Sequence, residues 1–284
     1  MGILFAILAA VTWALGDFSI ERTSRKVGSV AVLLYISLFG AIAYFPFVWT
    51  DIHVIQGPTL GLFVIAALTF LFSSVFDFLA LKAGKISVVE PICAFEVAVT
   101  AIFARVLIGE HITHYQLALI AILVLGIFLV SVKQFSHLRR IHAEKGAWLA
   151  LIATIGMGLA NFLFAEAARV STPLLINWFG CIFISIIVVI YLIYRGRLKR
   201  DLVEVRPNWK WTLSTVTTDN FSWVFYTYAA LYMPISIAVA MSESYIVLAA
   251  LLGFVFNKET LRSHQVLGMV ICISSVILLA LSLK

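Results

Sequence analysis

The stretch "GILFAILAAVTWALGDF" (residues 2–18) decides the fold, because it returns later in the chain as "GAWLALIATIGMGLANF" (146–162). Five positions are identical, namely a Gly, two Ala, a Leu and a Phe, and Asp17 of the first copy becomes Asn161 in the second. Each copy is almost wholly apolar, and a helix of roughly 20 apolar residues crosses a hydrocarbon core about 30 Å thick. The pair therefore predicts a membrane span that the chain uses twice.

Two further pairs of similar segments follow in the same chain order. "ISLFG" (36–40) resembles "INWFG" (176–180), and "GEHITHYQ" (109–116) resembles "KETLRSHQ" (258–265). Apolar segments resemble one another by chance, so a single match carries little weight. Three matches in order indicate an internal duplication.

Apolar runs of spanning length occur ten times along the chain, with short turns between them. Only 12% of the residues are charged and 63% are hydrophobic, whereas soluble domains are about a quarter charged. The runs are 3–20, 30–50, 59–81, 87–108, 115–133, 146–168, 173–194, 211–233, 235–256 and 264–283. We therefore expect an all-α polytopic membrane protein with ten transmembrane helices.

Each copy of the duplication holds five spans, an odd number, so the second copy must enter the membrane upside down. We predict two inverted five-helix repeats around a central cavity, residues 1–135 and 146–284, joined by a basic cytoplasmic connector at 136–145. Secondary transporters commonly use this plan and bind substrate near the midplane between the repeats.

The positive charges predict the orientation. Seventeen of the 20 Lys and Arg residues lie in the turns after spans 1, 3, 5, 7 and 9, and the other three are Arg105, Arg169 and Lys284. Lys and Arg in short loops favour the cytoplasmic side. We therefore expect a multi-pass protein of the cytoplasmic (inner) membrane with both termini outside.

A resemblance to a known family rests on "TWALGDF" (12–18) and on the hinge before the fifth helix of each repeat, "GEHITHYQ" and "KETLRSHQ". On these residues the chain resembles the EamA-like ten-helix family of the drug/metabolite transporter superfamily. The resemblance implies a carrier of small metabolites driven by gradients without ATP. It also implies that spans 1–4 and 6–9 surround the cavity. Familiar members have cytoplasmic termini, and here the charges of this sequence predict the opposite.

Two glutamates in the fourth span need different interpretations. Ser87 and Glu90 match the S-x-x-E capping box of a helix start, and Pro91 follows in the first turn, so Glu90 is expected to cap the helix. Glu96 lies about 13 Å further in, near the bilayer centre, and Glu243 lies at a similar depth in the ninth span. Intramembrane carboxyl groups are costly and usually serve a transport pathway, so we predict that Glu96 and Glu243 bind protons or substrate.

Other polar residues in the spans are weaker candidates for the same site. They are Asp219 and Asn220, the repeat mates Asp17 and Asn161, Asp77, and the aromatic residues Trp223 and Tyr245. An interfacial role is an equal alternative for Asp17 and Asp77, and packing is an alternative for the aromatic rings. Glu110 and Glu259 are expected to organise the turns into the last helix of each repeat, and Glu166 with Arg169 to form a surface pair.

The residues together predict a secondary active transporter that moves a small polar or cationic metabolite by alternating access, coupled to protons. A flippase for an amphiphilic or lipid-linked compound is the alternative within transport. An intramembrane enzyme or a non-transporting sensor is the alternative outside it. No motif for ATP binding, zinc proteolysis or serine hydrolysis occurs, so we expect no enzyme activity, cofactor or metal. The expected partners are a small-molecule substrate, protons and the lipid bilayer, without nucleic acid, for a monomer or homodimer.

Overall fold

The computed structural model describes residues 1–84, 86–133, 145–204, 206–258 and 260–283. Within these residues the chain is helical almost throughout and contains no β-strand. The predictions for Glu259, for the side chain of Ser87 and for residues 136–144 of the connector lie outside the described set.

All ten predicted spans are helical. Their helices are Gly2–Val27, Ser29–Val48, Pro58–Ala83, Ile86–Cys93 with Glu96–Ile108, His114–Ser131, Lys145–Val170, Pro173–Tyr194, Trp209–Tyr232, Ile235–Glu243 with Tyr245–Asn257, and Ser263–Leu281. In the described part of the chain, nine segments are long and apolar enough to cross a membrane. The eighth span falls short because Thr, Ser, Asp and Asn interrupt its apolar residues. The predicted fold class is confirmed.

The spans pack in pairs that repeat the internal symmetry of the sequence. Span 1 packs mainly on span 8, span 3 on span 6, span 2 on span 7, and span 5 on span 10. Span 4 also packs on span 6, and span 9 on span 1. Exchanging every span with the one five places away maps each of these pairs onto another or onto itself, as expected of two repeats related by a two-fold axis.

The bundle has two different ends. The terminus end holds the start of span 1 and the end of span 10; Gly2 lies against Tyr232 and Met233, and the Gln116 amide donates to Ser282. The opposite end, called the basic-loop end, holds the turns after the odd-numbered spans. The interior is closed at the terminus end and accessible at the basic-loop end, as the contacts of the site show below.

Spans 4 and 9 are each interrupted near the middle. Span 4 breaks at Ala94 and Phe95, and span 9 breaks at Ser244. The hydroxyl of Ser244 donates back to the carbonyl oxygen of Met241 at 2.6 Å, a local bond that competes with helix continuation. Non-helical backbone at membrane depth occurs where it is enclosed by protein or lines a cavity, and transporters use such breaks at binding sites. The breaks therefore mark the centre of the bundle as the candidate site.

Spans 3 and 6 approach most closely at two glycines of the basic-loop end. A Cβ atom on Gly146 would overlap the backbone N and Cα of Gly84 and stand 3.0 Å from the carbonyl oxygen of Ala80. Backbone atoms cannot move aside as a flexible side chain can, so the two helices need a residue without a side chain here.

Replacing Gly146 by Ala is expected to destabilise the protein by about 1–3 kcal/mol, because the added methyl group forces spans 3 and 6 apart. The thermal unfolding midpoint of the purified protein in detergent measures the effect. The matched control is Gly61→Ala in span 3, where a Cβ meets nothing within 4 Å and alanine favours the helix. Equal midpoints for Gly146→Ala and Gly61→Ala would contradict the close contact.

Candidate functional site

The structure brings the two predicted glutamates into direct contact. Glu96 is the first residue of the second helix of span 4, and Glu243 is the last residue of the first helix of span 9. Their carboxyl groups are close neighbours and interact electrostatically. Two ionised carboxylates side by side repel each other, and a proton on one of them removes the repulsion; we call these two residues the carboxyl pair.

Span 6 and span 8 close around the carboxyl pair. The hydroxyl of Thr100 donates to the carbonyl oxygens of Glu96 and of Gly158 in span 6, at 2.9 and 3.0 Å. The Tyr226 hydroxyl of span 8 donates to the Asn161 carbonyl oxygen at 2.9 Å and interacts electrostatically with both glutamates. The buried side-chain amide nitrogen of Asn161 has no hydrogen-bond partner among the described residues, so a polar group near the pair is left for another molecule to satisfy.

An acidic crevice leads from the carboxyl pair to the basic-loop end. Asp17 is exposed, yet its neighbours Tyr245, Glu96, Asp77 and Asp219 come from four other spans. Its carboxyl group therefore faces an internal crevice and not lipid. The Tyr245 hydroxyl is a close polar neighbour of Asp17.

Glu90 belongs to this crevice, which corrects its expected role as a cap. The helix begins at Ile86, so Glu90 lies one turn inside it and not at the third position of a capping box. Its exposed carboxyl interacts electrostatically with Asp17, Asp77 and, near the mouth, Lys133. The acidic crevice thus consists of Asp17, Asp77, Glu90 and Glu96.

The remaining crevice acid is tied to span 4. Asp77 accepts a hydrogen bond from the Cys93 thiol at 3.8 Å, and Cys93 lies near Thr154 of span 6. In the described residues, no three His, Cys, Asp or Glu side chains are arranged to hold a metal ion.

Aromatic rings form a wall between the crevice and a second space. Trp13 makes an edge-to-face contact with Trp223 at 5.6 Å between centroids, and it also packs on Tyr226 and Tyr245. Behind Trp223 lies a cavity of about 100 Å³ between spans 2, 3, 6, 7 and 8. This side cavity is lined in part by Asp219, Asn220 and Trp223. The nine predicted site residues are therefore divided: Asp219, Asn220 and Trp223 line the side cavity, and the others surround the crevice and the carboxyl pair.

The terminus end is sealed by a contact that the sequence did not predict. Glu110 accepts hydrogen bonds from the backbone N–H groups of Ile235 and Ser236, at 2.6 and 3.0 Å, and from the Ser236 hydroxyl at 2.6 Å. Glu110 therefore caps the start of span 9, 125 residues further along the chain, where a negative charge complements the helix dipole.

Arg169 completes this seal, in addition to the pair with Glu166 that the sequence predicts. Its guanidinium lies 3.7 Å from the Glu110 carboxylate and donates to the carbonyl oxygens of Ala230 and Met233, each at 2.9 Å, at the end of span 8. The predicted pair with Glu166 is present as well, at 3.9 Å from the guanidinium. We call Glu110 and Arg169 the terminus clamp, because together they join the turn between spans 4 and 5 to spans 6, 8 and 9.

The chain is a polytopic membrane protein with an internal polar pathway. It has ten spans, two interrupted helices that meet at the carboxyl pair, and a crevice that is accessible from one end. The sequence model of the EamA-like transporter family, part of the drug/metabolite transporter superfamily, matches residues 1–132 and 144–281. The chain therefore belongs to the EamA-like transporter family.

Solved structures support the same fold. One crystal structure of a protein matches with a TM-score of 0.72 and 13% sequence identity, over 100% of this chain and 98% of that chain. At this identity the similarity concerns the fold alone. The comparison with curated proteins gives no match.

Proposed function

We propose that the protein is a secondary active transporter that moves a small polar or cationic metabolite by alternating access, with protons carried by Glu96 and Glu243. The observation that carries the proposal is the position of this carboxyl pair. It joins the two interrupted helices at mid-depth, where the acidic crevice ends. Family membership supports transport over an intramembrane enzyme or a sensor.

The helix ends distinguish the two members of the pair. Glu96 lies in the first turn of its helix, where the dipole favours a negative charge, and Glu243 lies in the last turn of its helix, where it disfavours one. A single proton on the pair is therefore favoured on Glu243, beside an ionised Glu96. Such a pair can take up or release one proton when a substrate changes the charge nearby.

The bundle has the asymmetry that alternating access requires. All residues of Ile235–Glu243 are buried and the terminus clamp holds their start, whereas Asp17 and Glu90 are exposed toward the basic-loop end. We propose that the basic-loop end is cytoplasmic, since positive loops favour that side. The structure would then be the inward-facing state in the cytoplasmic membrane, with both termini outside.

The symmetric packing supports a mechanism in which the two repeats exchange roles. We propose that residues 1–135 and 146–284 are these repeats. Rocking one repeat against the other would open the terminus end and close the basic-loop end around the fixed carboxyl pair.

A flippase has less support. It needs a lateral path for a polar headgroup, and the lateral recess between spans 3 and 6, about 510 Å³, is lined by apolar side chains and Thr69. No acid of the crevice lines this recess. It suits a lipid chain at rest on the surface more than the passage of a headgroup.

The test of the proposed function is accumulation in proteoliposomes under an imposed pH gradient, with a panel of radiolabelled amines, amino acids and neutral metabolites. We expect at least one compound to accumulate above its external concentration and to lose this accumulation when an ionophore collapses the proton gradient. Accumulation that survives collapse of the proton gradient, or none across the panel while the same protein binds a panel compound, would contradict proton coupling.

A further inference from the structure

The side cavity offers hydrogen-bond acceptors and almost no donors. The amide nitrogen of Asn220 donates to the carbonyl oxygens of Ile36 and Val216, at 3.0 and 2.8 Å. The amide nitrogen of Asn177, which also lines the cavity, donates to Pro173 and Thr227, at 2.7 and 2.9 Å. With both nitrogens fully engaged inside the protein, the two asparagines have no N–H donor left and can offer a ligand only an acceptor.

The position of Asn220 is built into the neighbouring spans. A Cβ atom on Gly40 of span 2 would overlap the Asn220 side-chain oxygen, so only a glycine leaves room for this amide. The Cys181 thiol of span 7 donates to the same oxygen at 3.6 Å. Both neighbours fix the orientation of the amide, and Cys181 itself lines the cavity.

Asp219 adds a carboxylate to this acceptor wall. It lines the cavity, and among the described residues neither a hydrogen-bond donor nor a cationic side chain interacts with its carboxylate. A half-buried carboxylate without a partner is costly, so the cavity is suited to a ligand that brings both positive charge and hydrogen-bond donors.

Aromatic rings also line the cavity. Phe70, Phe164 and Trp223 all line the cavity and contact one another, with centroids 5.1 Å apart for Phe70–Trp223, 5.2 Å for Phe164–Trp223 and 5.9 Å for Phe70–Phe164. The negative faces of aromatic rings attract organic cations. One carboxylate and three rings around the same cavity match an ammonium group better than a metal ion, which prefers oxygen ligands all round.

We propose that the side cavity binds the ammonium group of the transported substrate, at a place separate from the carboxyl pair that carries protons. The proposal rests on the proposed transport function and names its substrate class as organic amines. A cavity of about 100 Å³ has the volume of roughly three water molecules. It therefore accommodates the cationic group and a short part of its chain, while Trp13 and Trp223 separate this group from the pair.

The test uses Cys181 as a reporter inside the cavity. The chain has three cysteines, so the double variant Cys93→Ser, Cys272→Ser leaves Cys181 as the only thiol. The probes are the cationic 2-aminoethyl and the anionic 2-sulfonatoethyl methanethiosulfonates. The Cys181 thiolate attacks the sulfenyl sulfur and forms a mixed disulfide, methanesulfinate leaves with the electron pair, and the thiol proton goes to solvent.

The measured quantity is the ratio of the cationic to the anionic modification rate, divided by the same ratio for free 2-mercaptoethanol. We expect this ratio to be roughly ten or more, because Asp219 attracts the cation at short range. Asp219→Asn should bring it to about one, and Asp219→Glu should restore it. Asp77→Asn, which removes a carboxylate outside the cavity, should leave it high. Ethylammonium chloride should slow modification, and ethanol and sodium chloride should not.

A ratio unchanged by Asp219→Asn, or a Cys181 that reacts with neither probe, would overturn the proposal. Protection by sodium chloride equal to that by ethylammonium would overturn the assignment to an ammonium group. Modification requires no proton coupling. The cation preference could persist in a protein that shows no proton-driven accumulation. That result would keep the side cavity as a cation site and would reject only the proposed transport mechanism.

Discussion

Replacing Glu96 by Gln is expected to abolish proton-driven accumulation of the substrate, reducing it to the level of liposomes without protein. Glutamine keeps the size of the side chain and can still hydrogen-bond Glu243, but it cannot exchange a proton. The measurement is accumulation of an identified substrate under an imposed pH gradient, together with exchange of labelled for unlabelled substrate at equal pH on both sides.

The two assays separate loss of coupling from loss of folding. Exchange requires no net proton movement, so Glu96→Gln should keep it within about tenfold of the wild-type rate while accumulation is lost. Glu243→Gln should show the same pattern, since either member alone is an incomplete pair. Glu166→Gln, at the terminus end and away from the pair, should retain both activities. Full accumulation by Glu96→Gln would remove this residue from the proton pathway.

Replacing Glu110 by Gln is expected to loosen the terminus end by about 2–4 kcal/mol. The variant loses the ion pair with Arg169 at 3.7 Å and weakens three hydrogen bonds to Ile235 and Ser236. Hydrogen bonds to charged groups contribute about 1.5–3 kcal/mol each, and breaking a buried ion pair leaves the other charge uncompensated. Amide hydrogen exchange over residues 235–243 should become roughly 30- to 1000-fold faster.

The matched control is again Glu166→Gln. Glu166 lies 3.9 Å from the same arginine and both side chains are 26% exposed, so this ion pair should contribute less than about 1 kcal/mol. Exchange over residues 235–243 should then remain within about fivefold of the wild type. Equal exchange rates in Glu110→Gln and Glu166→Gln would show that the terminus clamp does not hold span 9.

Several features of the site could be predicted because they depend on local sequence. Ten apolar runs predict ten spans, and the distances from the helix starts predict that spans 4 and 9 each carry a glutamate at mid-depth. The eighth span shows the limit of hydropathy. Its helix, Trp209–Tyr232, is too polar to be recognised as a span from hydropathy alone. In the structure this helix packs along span 1, whose apolar side chains cover it.

Other features depend on contacts between residues distant in the chain. The local sequence predicts only that Glu110 organises its own turn. Nothing near it indicates that its carboxylate oxygens accept hydrogen bonds from Ile235 and Ser236. Arg169 likewise forms its bonds 61 and 64 residues away. The side cavity combines five spans, so Phe70 and Phe164 gave no signal beyond their apolar character.

The most direct test of the central claim, that the carboxyl pair couples protons to substrate movement, is the pH inside proteoliposomes while a substrate gradient is applied without any imposed pH gradient. The account predicts a proton movement that requires substrate, has one fixed sign for a given substrate gradient, reverses with it, and is absent from Glu96→Gln. Substrate uptake that proceeds at the same rate in both proteins with no change of internal pH in either would contradict it.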